Sequence, residues 1–184
     1  MLHQVGENRD YEPSNVTSQL GNDDQSFWAL AAMTAAERMY PDPPEGQPQW
    51  LALVQAVFVR QSERWETEYC GGGMRWQVVP VNKGYNYKNT VSNGLYFQIA
   101  ARLARFTGNK TYAQKAAEAY SWLESVGFIS SAYKVFDGGH VEMQCRDIQR
   151  HQWTYNAGIV LAGAAAMYNI VSLTFPPPHL QSTH

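Results

Sequence analysis

Gly21-Asn22-Asp23-Asp24-Gln25-Ser26-Phe27-Trp28 stands at the head of an apolar run that continues through Met33 to Ala36. The run is apolar on nearly every side at helical spacing, which predicts a buried helix over 23–39. Asn22 or Asp23 serves as its N-cap, and acids in the first turn complement the helix dipole. One acid suffices for that. A second carboxylate at the mouth of a buried helix costs free energy where water is scarce, so the pair is also a candidate chemical site. Tyr40-Pro41-Asp42-Pro43-Pro44-Glu45-Gly46 ends the helix, because proline breaks it and disfavours it in the residue before.

The same alternation recurs downstream. An amphipathic helix is expected over 49–67, with Leu51, Val54, Phe58 and Trp65 on its apolar face. A helix over 91–106 is apolar on most sides and stops at Thr107-Gly108-Asn109. An amphipathic helix over 111–126 and an alanine-rich helix over 153–170, apolar all round, complete the series. The buried helices open at Asn22-Asp23-Asp24, Ser92-Asn93-Gly94 and Tyr155-Asn156-Ala157, about 65 residues apart, as a recurring supersecondary unit would. Buried and half-exposed helices in alternation describe two concentric layers, hence an all-α fold. Residues 133–143 interrupt it and read as a short β-hairpin turning at Asp137-Gly138-Gly139-His140. Residues 1–20 read as coil, and 171–184 carry no core pattern.

With 184 residues the chain suits one domain. A formal net charge of -2 without a basic block excludes a nucleic-acid partner. No apolar run approaches the ~20 residues of a membrane span, and the opening Met1-Leu2-His3-Gln4 lacks the charged-then-apolar pattern of a signal peptide. Cys70-Gly71-Gly72-Gly73-Met74-Arg75-Trp76-Gln77 is not a phosphate loop, since no Lys-Ser/Thr follows. It reads as a turn, or as a loop that lets a ligand lie against the backbone beside Trp76. His140 and His151 lack the company of a metal site, and two acids supply too few oxygens for calcium, so no metal and no cofactor are expected. Cys70 and Cys145 allow one disulfide, and Asn15-Val16-Thr17 and Asn109-Lys110-Thr111 are glycosylation sequons.

Four motifs in order carry a resemblance: Gly-Asn-Asp-Asp-Gln with Phe27-Trp28, the Cys70-led glycine loop, Asn89-Thr90-Val91-Ser92-Asn93-Gly94, and Trp153-Thr154-Tyr155-Asn156-Ala157-Gly158. Together they resemble glycoside hydrolase family 76, the endo-α-1,6-mannanases and the fungal cell-wall proteins of Dfg5/Dcw1 type, over about residues 2–170. The resemblance implies part of an (α/α)6 barrel and a retaining α-1,6-mannosidase. Its substrate would be α-1,6-mannan or a GPI-linked mannoprotein glycan, with wall glucan as an acceptor in the transglycosylating branch and no protein partner. An inactive carbohydrate-binding fragment is the alternative. The family's fungal members are secreted and GPI-anchored. Closing such a ring takes about twelve helices at ~30 residues per helix and loop, so five helices make a partial barrel of residues 1–170 with a tail over 171–184.

The resemblance makes Asp23 the nucleophile and Asp24 the acid/base, and a retaining pair needs carboxyls about 5–5.5 Å apart. Asp23, nearer the cap, would keep its charge, while Asp24 beside it would be lifted. Trp76, Tyr87, Trp153 and Tyr155 are candidates for stacking on sugars or for packing. Asn93 and Asn156 are candidates for hydroxyl hydrogen bonds or for helix caps. Asp137 faces the cleft or makes the hairpin turn. Arg75 pairs with a catalytic carboxylate or holds the glycine loop.

Overall fold

The computed structural model describes residues 2–174. Its helices are α1 Asn22–Glu37, α2 Trp50–Glu63, α3 Thr90–Thr107, α4 Lys110–Ser125 and α5 Thr154–Thr174. Each lies within a few residues of its expected span. α5 runs four residues past the expected end at 170, and residues 175–184 of the expected tail lie outside the described residues.

α3 is the centre. It packs against α1, α5, α4 and α2, while α2 also packs against α1. The helices α1, α3 and α5 therefore stand side by side as one layer, with α2 and α4 behind them. Residues Thr90 to Ala101 of α3 are buried without a break, so its run, apolar on most sides, is spent on neighbours and takes Thr90, Ser92, Asn93 and Gln98 inside with it. Met33, Leu53, Val57, Phe97, Ile99 and Leu103 form the main core between the layers. Local chemistry sets the ends of α3: the Asn89 side chain accepts from the Ser92 N–H at the start, and Gly108 takes φ 72° at the stop.

The outer helices of the layer correct the expectation of full burial. Phe27 on α1 is 49% exposed, and Leu161 and Tyr168 on α5 are 70% and 71% exposed. One face of each is packed on α3 or α2 and the other is open. The packed face at the start of α1 is not apolar either. The Gln61 side chain of α2 donates to the Asn22 carbonyl, Gln25 and Ser26, and Arg64 donates to the Asn22 and Gln25 side chains. Gln61 is wholly buried, and Arg64, just past the end of α2 and off the apolar face expected from sequence, is largely buried too.

The expected hairpin is absent. β2, Gly138–His140, pairs antiparallel with β1, Tyr87–Asn89, so that Tyr87 faces His140 and Asn89 faces Gly138. The Gly-Gly-His run after Asp137 is strand, not turn. A Cβ on Gly138 would fall 2.3 Å from the Lys88 carbonyl oxygen, and one on Gly139 would fall 3.0 Å from Cys145 backbone. Glycine is needed there for close backbone approach, not for reversal. Cys70 and Cys145 form a disulfide across a separation of 75 residues, joining the glycine loop to the segment that follows β2.

Candidate active site

The start of α1 is held from two sides. On the α2 side stand Gln61 and Arg64. On the other, the Asn22 N–H donates to the Trp76 carbonyl at 2.8 Å, its side-chain amide donates to the Arg75 carbonyl at 2.9 Å, and Gly21 bridges to Gln77. Gly21 is the N-cap residue, and the Asp24 carboxylate accepts its N–H at 2.9 Å. The cap is thus neither Asn22 nor Asp23, as sequence suggested.

Asp23 points into a cleft of about 370 Å³ walled by Phe27, Trp76, Tyr87, Asn89, Val91, Asp137, Trp153 and Tyr155. The Trp76 indole N–H lies 3.0 and 3.2 Å from the two Asp23 oxygens. Asp24 is exposed and is not among the lining residues. The two acids nevertheless flank one point: a Cβ on Gly21 would fall 2.3 Å from Asp23 Oδ1 and 3.0 Å from Asp24 Oδ2. Those two oxygens are therefore at most about 5.3 Å apart, below the ~6.5 Å minimum separation of an inverting pair.

Burial, and then the Asp24 charge, lift the Asp23 carboxyl to about 6, while the Trp76 N–H opposes the rise. The expectation that the charge stays with Asp23 and the lift falls on Asp24 is corrected here: the carboxyl that burial lifts is Asp23. Replacing Trp76 by phenylalanine removes an opposing hydrogen bond, so the Asp23 midpoint should climb by about one pH unit. Carboxyl ¹³C titration of the variant checks this.

The opposite wall is built by β1, β2 and α5. The Tyr87 hydroxyl donates to Asp137 at 2.8 Å, and burial and the Asp137 carboxylate together hold the phenol protonated well above its ordinary range. Trp153 and Tyr155 lie nearly parallel at 9° with centroids 6.2 Å apart, each about half exposed at 46% and 47%. Flat, part-open rings beside carboxylates suit the apolar faces and hydroxyl edges of sugar rings. Phe27 and Asn89 also line the cleft without having been singled out. Phe27 lies four residues after Asp23, one turn on along the same helix face, which was the available signal.

Three expected sugar-binding residues lie elsewhere. Arg75 contacts Glu66 at 3.0 Å, donates to Asn86 and stacks over Tyr69 and Tyr85, holding the loop rather than Asp23. Asn93 is fully buried and ties both backbone groups of Met74 to α3. Asn156 is fully buried too. The glycine loop likewise receives protein, not ligand: a Cβ on Gly73 would fall 2.3 Å from the Trp122 ring. Gly84, at φ +95°, seats Trp76 in the same way, its absent Cβ lying 2.5 Å from the indole. Gly84→Ala should therefore displace Trp76 and quench or shift tryptophan fluorescence, with a cost of about 1–3 kcal/mol, measurable by urea denaturation. Among the described residues no cluster of three or more His, Cys, Asp or Glu is placed to hold a metal ion.

The sequence pattern of glycosyl hydrolase family 76 matches residues 1–173. The chain belongs to this family. It is 54% identical over 171 residues to the mannan endo-1,6-alpha-mannosidase DCW1 of Saccharomyces cerevisiae, covering 92% of this chain and 38% of that protein. It is 52% identical over 176 residues to the DFG5 mannan endo-1,6-alpha-mannosidase of the same yeast, covering 95% and 38%. The crystal structure of Dfg5 from Chaetomium thermophilum in complex with glucosamine superposes with a TM-score of 0.90 at 53% identity, over 93% of this chain and 42% of that one. The family 76 chain thus spans about two fifths of the length of the relatives it matches. An α-1,6-mannanase from a Salegentibacter species shares the fold alone, with 20% identity and a TM-score of 0.66 over 90% of this chain and 45% of that one.

Proposed function

We propose that this chain carries the reacting wall of an endo-acting α-1,6-mannosidase of retaining mechanism, acting on mannan or on GPI-linked mannoprotein glycans. The observation that carries the reading is Asp23, held by an indole N–H inside an aromatic cleft with Asp24 within reach of the same point. The names of the yeast relatives support it. In the first step Asp23 attacks the anomeric carbon, forming a glycosyl ester, while Asp24 protonates the departing oxygen. In the second, Asp24 takes a proton from the incoming hydroxyl, which displaces Asp23. Water as that hydroxyl gives hydrolysis, and a wall-glucan hydroxyl gives transglycosylation. The part-exposed rings of Trp153 and Tyr155, with Asp137 and Tyr87 on the same wall, orient the sugar. A secreted or cell-surface setting suits the Cys70–Cys145 bridge and the exposed sequon residues Asn15 and Asn109.

The lifted Asp23 favours a second reading in which the roles are exchanged. The two differ in sign. As nucleophile Asp23 must be ionised, so kcat/KM on α-1,6-mannotetraose rises as pH increases through about 6. As the acid it must be protonated, and kcat/KM falls through the same pH. Azide rescue separates them independently: an Asp23→Gly enzyme yields a β-glycosyl azide if Asp23 is the nucleophile and an α-azide if it is the acid. No release from the oligosaccharide, together with no quenching of tryptophan fluorescence by it, would end both.

A further inference from the structure

β1 is three residues long and faces two ways. Tyr87 and Asn89 line the cleft, and the strand's alternation sends Lys88 to the other side. There Lys88 has no exposure at all. Its ammonium donates to the carbonyls of Gly72 at 2.7 Å and Tyr69 at 2.8 Å, and sits 3.2 Å from the Glu66 carboxylate. Glu66 in turn holds Arg75 at 3.0 Å. The loop gripped at Tyr69, Gly72 and Arg75 ends at Trp76, whose N–H donates to the Tyr87 carbonyl at 2.7 Å and whose indole binds Asp23.

We propose that Lys88 is a positioning residue for Asp23: by fixing the 69–76 loop it fixes the indole N–H of Trp76 against the Asp23 carboxylate. A buried ammonium is an expensive way to fill space, and an apolar side chain of similar volume often does so at least as well. Burial accordingly pulls the Lys88 ammonium down to about 8, against the charge of Glu66. What the lysine supplies and a hydrophobe does not is a fixed place for two loop carbonyls. Its charged neighbours are Glu66 and Arg75. The titratable groups around Asp23 are Asp24 on its own helix, Tyr155 from α5, and Tyr87 and Asp137 lining the same cleft.

The test is carboxyl ¹³C titration of Asp23 in the unliganded chain, with Lys88→Met, Trp76→Phe and the double variant. It needs no sugar, so its failure is distinct from failure of the mannosidase reading. The wild-type midpoint should fall at about pH 6. Lys88→Met and Trp76→Phe should each raise it by about one unit, and the double variant should rise no further, because both remove the same hydrogen bond. An unchanged midpoint in Lys88→Met, or additive shifts in the double variant, overturns the proposal. Should Lys88→Met fail to fold, Glu66→Gln takes its place. A rise of the Asp23 midpoint there supports the proposal, and no change overturns it.

Discussion

Asp23→Asn should stop turnover and raise the melting temperature at pH 7.5. The loss of activity, at least about 10³-fold or 4 kcal/mol of barrier, follows from the reacting role proposed for Asp23. The gain in stability follows from the same burial that lifts its carboxyl. An acid titrating at about 6 in the folded chain and near 3.8 when unfolded keeps its proton longer in the native state. Below pH 3.8 it is neutral in both states and costs nothing. As pH rises through 6 the native state must hold a charge it disfavours, and up to about 3 kcal/mol of stability is lost. Asparagine carries no such charge and still accepts from Trp76. The melting temperature should therefore exceed wild type at pH 7.5 and match it near pH 3.5. A lower melting temperature at pH 7.5 would show that the carboxylate is there to hold the fold.

Cys70→Ser with Cys145→Ser is the other large effect. The bridge closes a loop over a separation of 75 residues, and chain entropy alone assigns such a loop about 4 kcal/mol. For a domain of this size that is a fall of roughly 10 °C in melting temperature, measured by calorimetry with and without reductant. The damage should fall unevenly. The bridge joins the loop that presents Trp76 to the segment that follows β2, so sugar binding, followed by tryptophan fluorescence, should weaken at temperatures where circular dichroism is still native. Equal loss of both signals would place the bridge's effect on the whole fold rather than on the cleft.

Helix existence was legible because burial acts on composition. The α3 run from Val91 to Leu103 carries Leu95, Tyr96, Phe97, Ile99 and Leu103 on most of its sides, and Gly108 marks its end. The paired acids were legible as two adjacent carboxylates at one helix start, although Asp24 also has a structural use, accepting the Gly21 N–H. Three things were not. Asp137-Gly138-Gly139 has the residues of a turn, and only pairing with β1, whose Lys88 carbonyl lies 50 residues before Gly138 and presses against it, makes Gly138–His140 a strand. Lys88 looks like any surface lysine until the carbonyls of Tyr69 and Gly72 are found around it. Arg75, Asn93 and Asn156 have the chemistry to bind sugars, but whether a polar side chain turns to the cleft or to the interior is set by packing partners distant in sequence. The burial that lifts Asp23 belongs to the same class, because Trp76 and Tyr155 supply it from two other elements.

Where α1 begins, its seam with α2 is closed by amides, while Met33, Leu53 and Val57 close the rest with hydrocarbon. Greasy seams tolerate a sliding or rolling neighbour, since one methyl group replaces another at little loss. Donor-to-acceptor matches such as Gln61 with Asn22, Gln25 and Ser26 are all-or-none: rotate α1 by one residue and every one is orphaned at once. The helix that presents Asp23 is thereby keyed to a single angular setting, and a variant that regreased the seam with leucines would melt later while aiming its carboxylate less well.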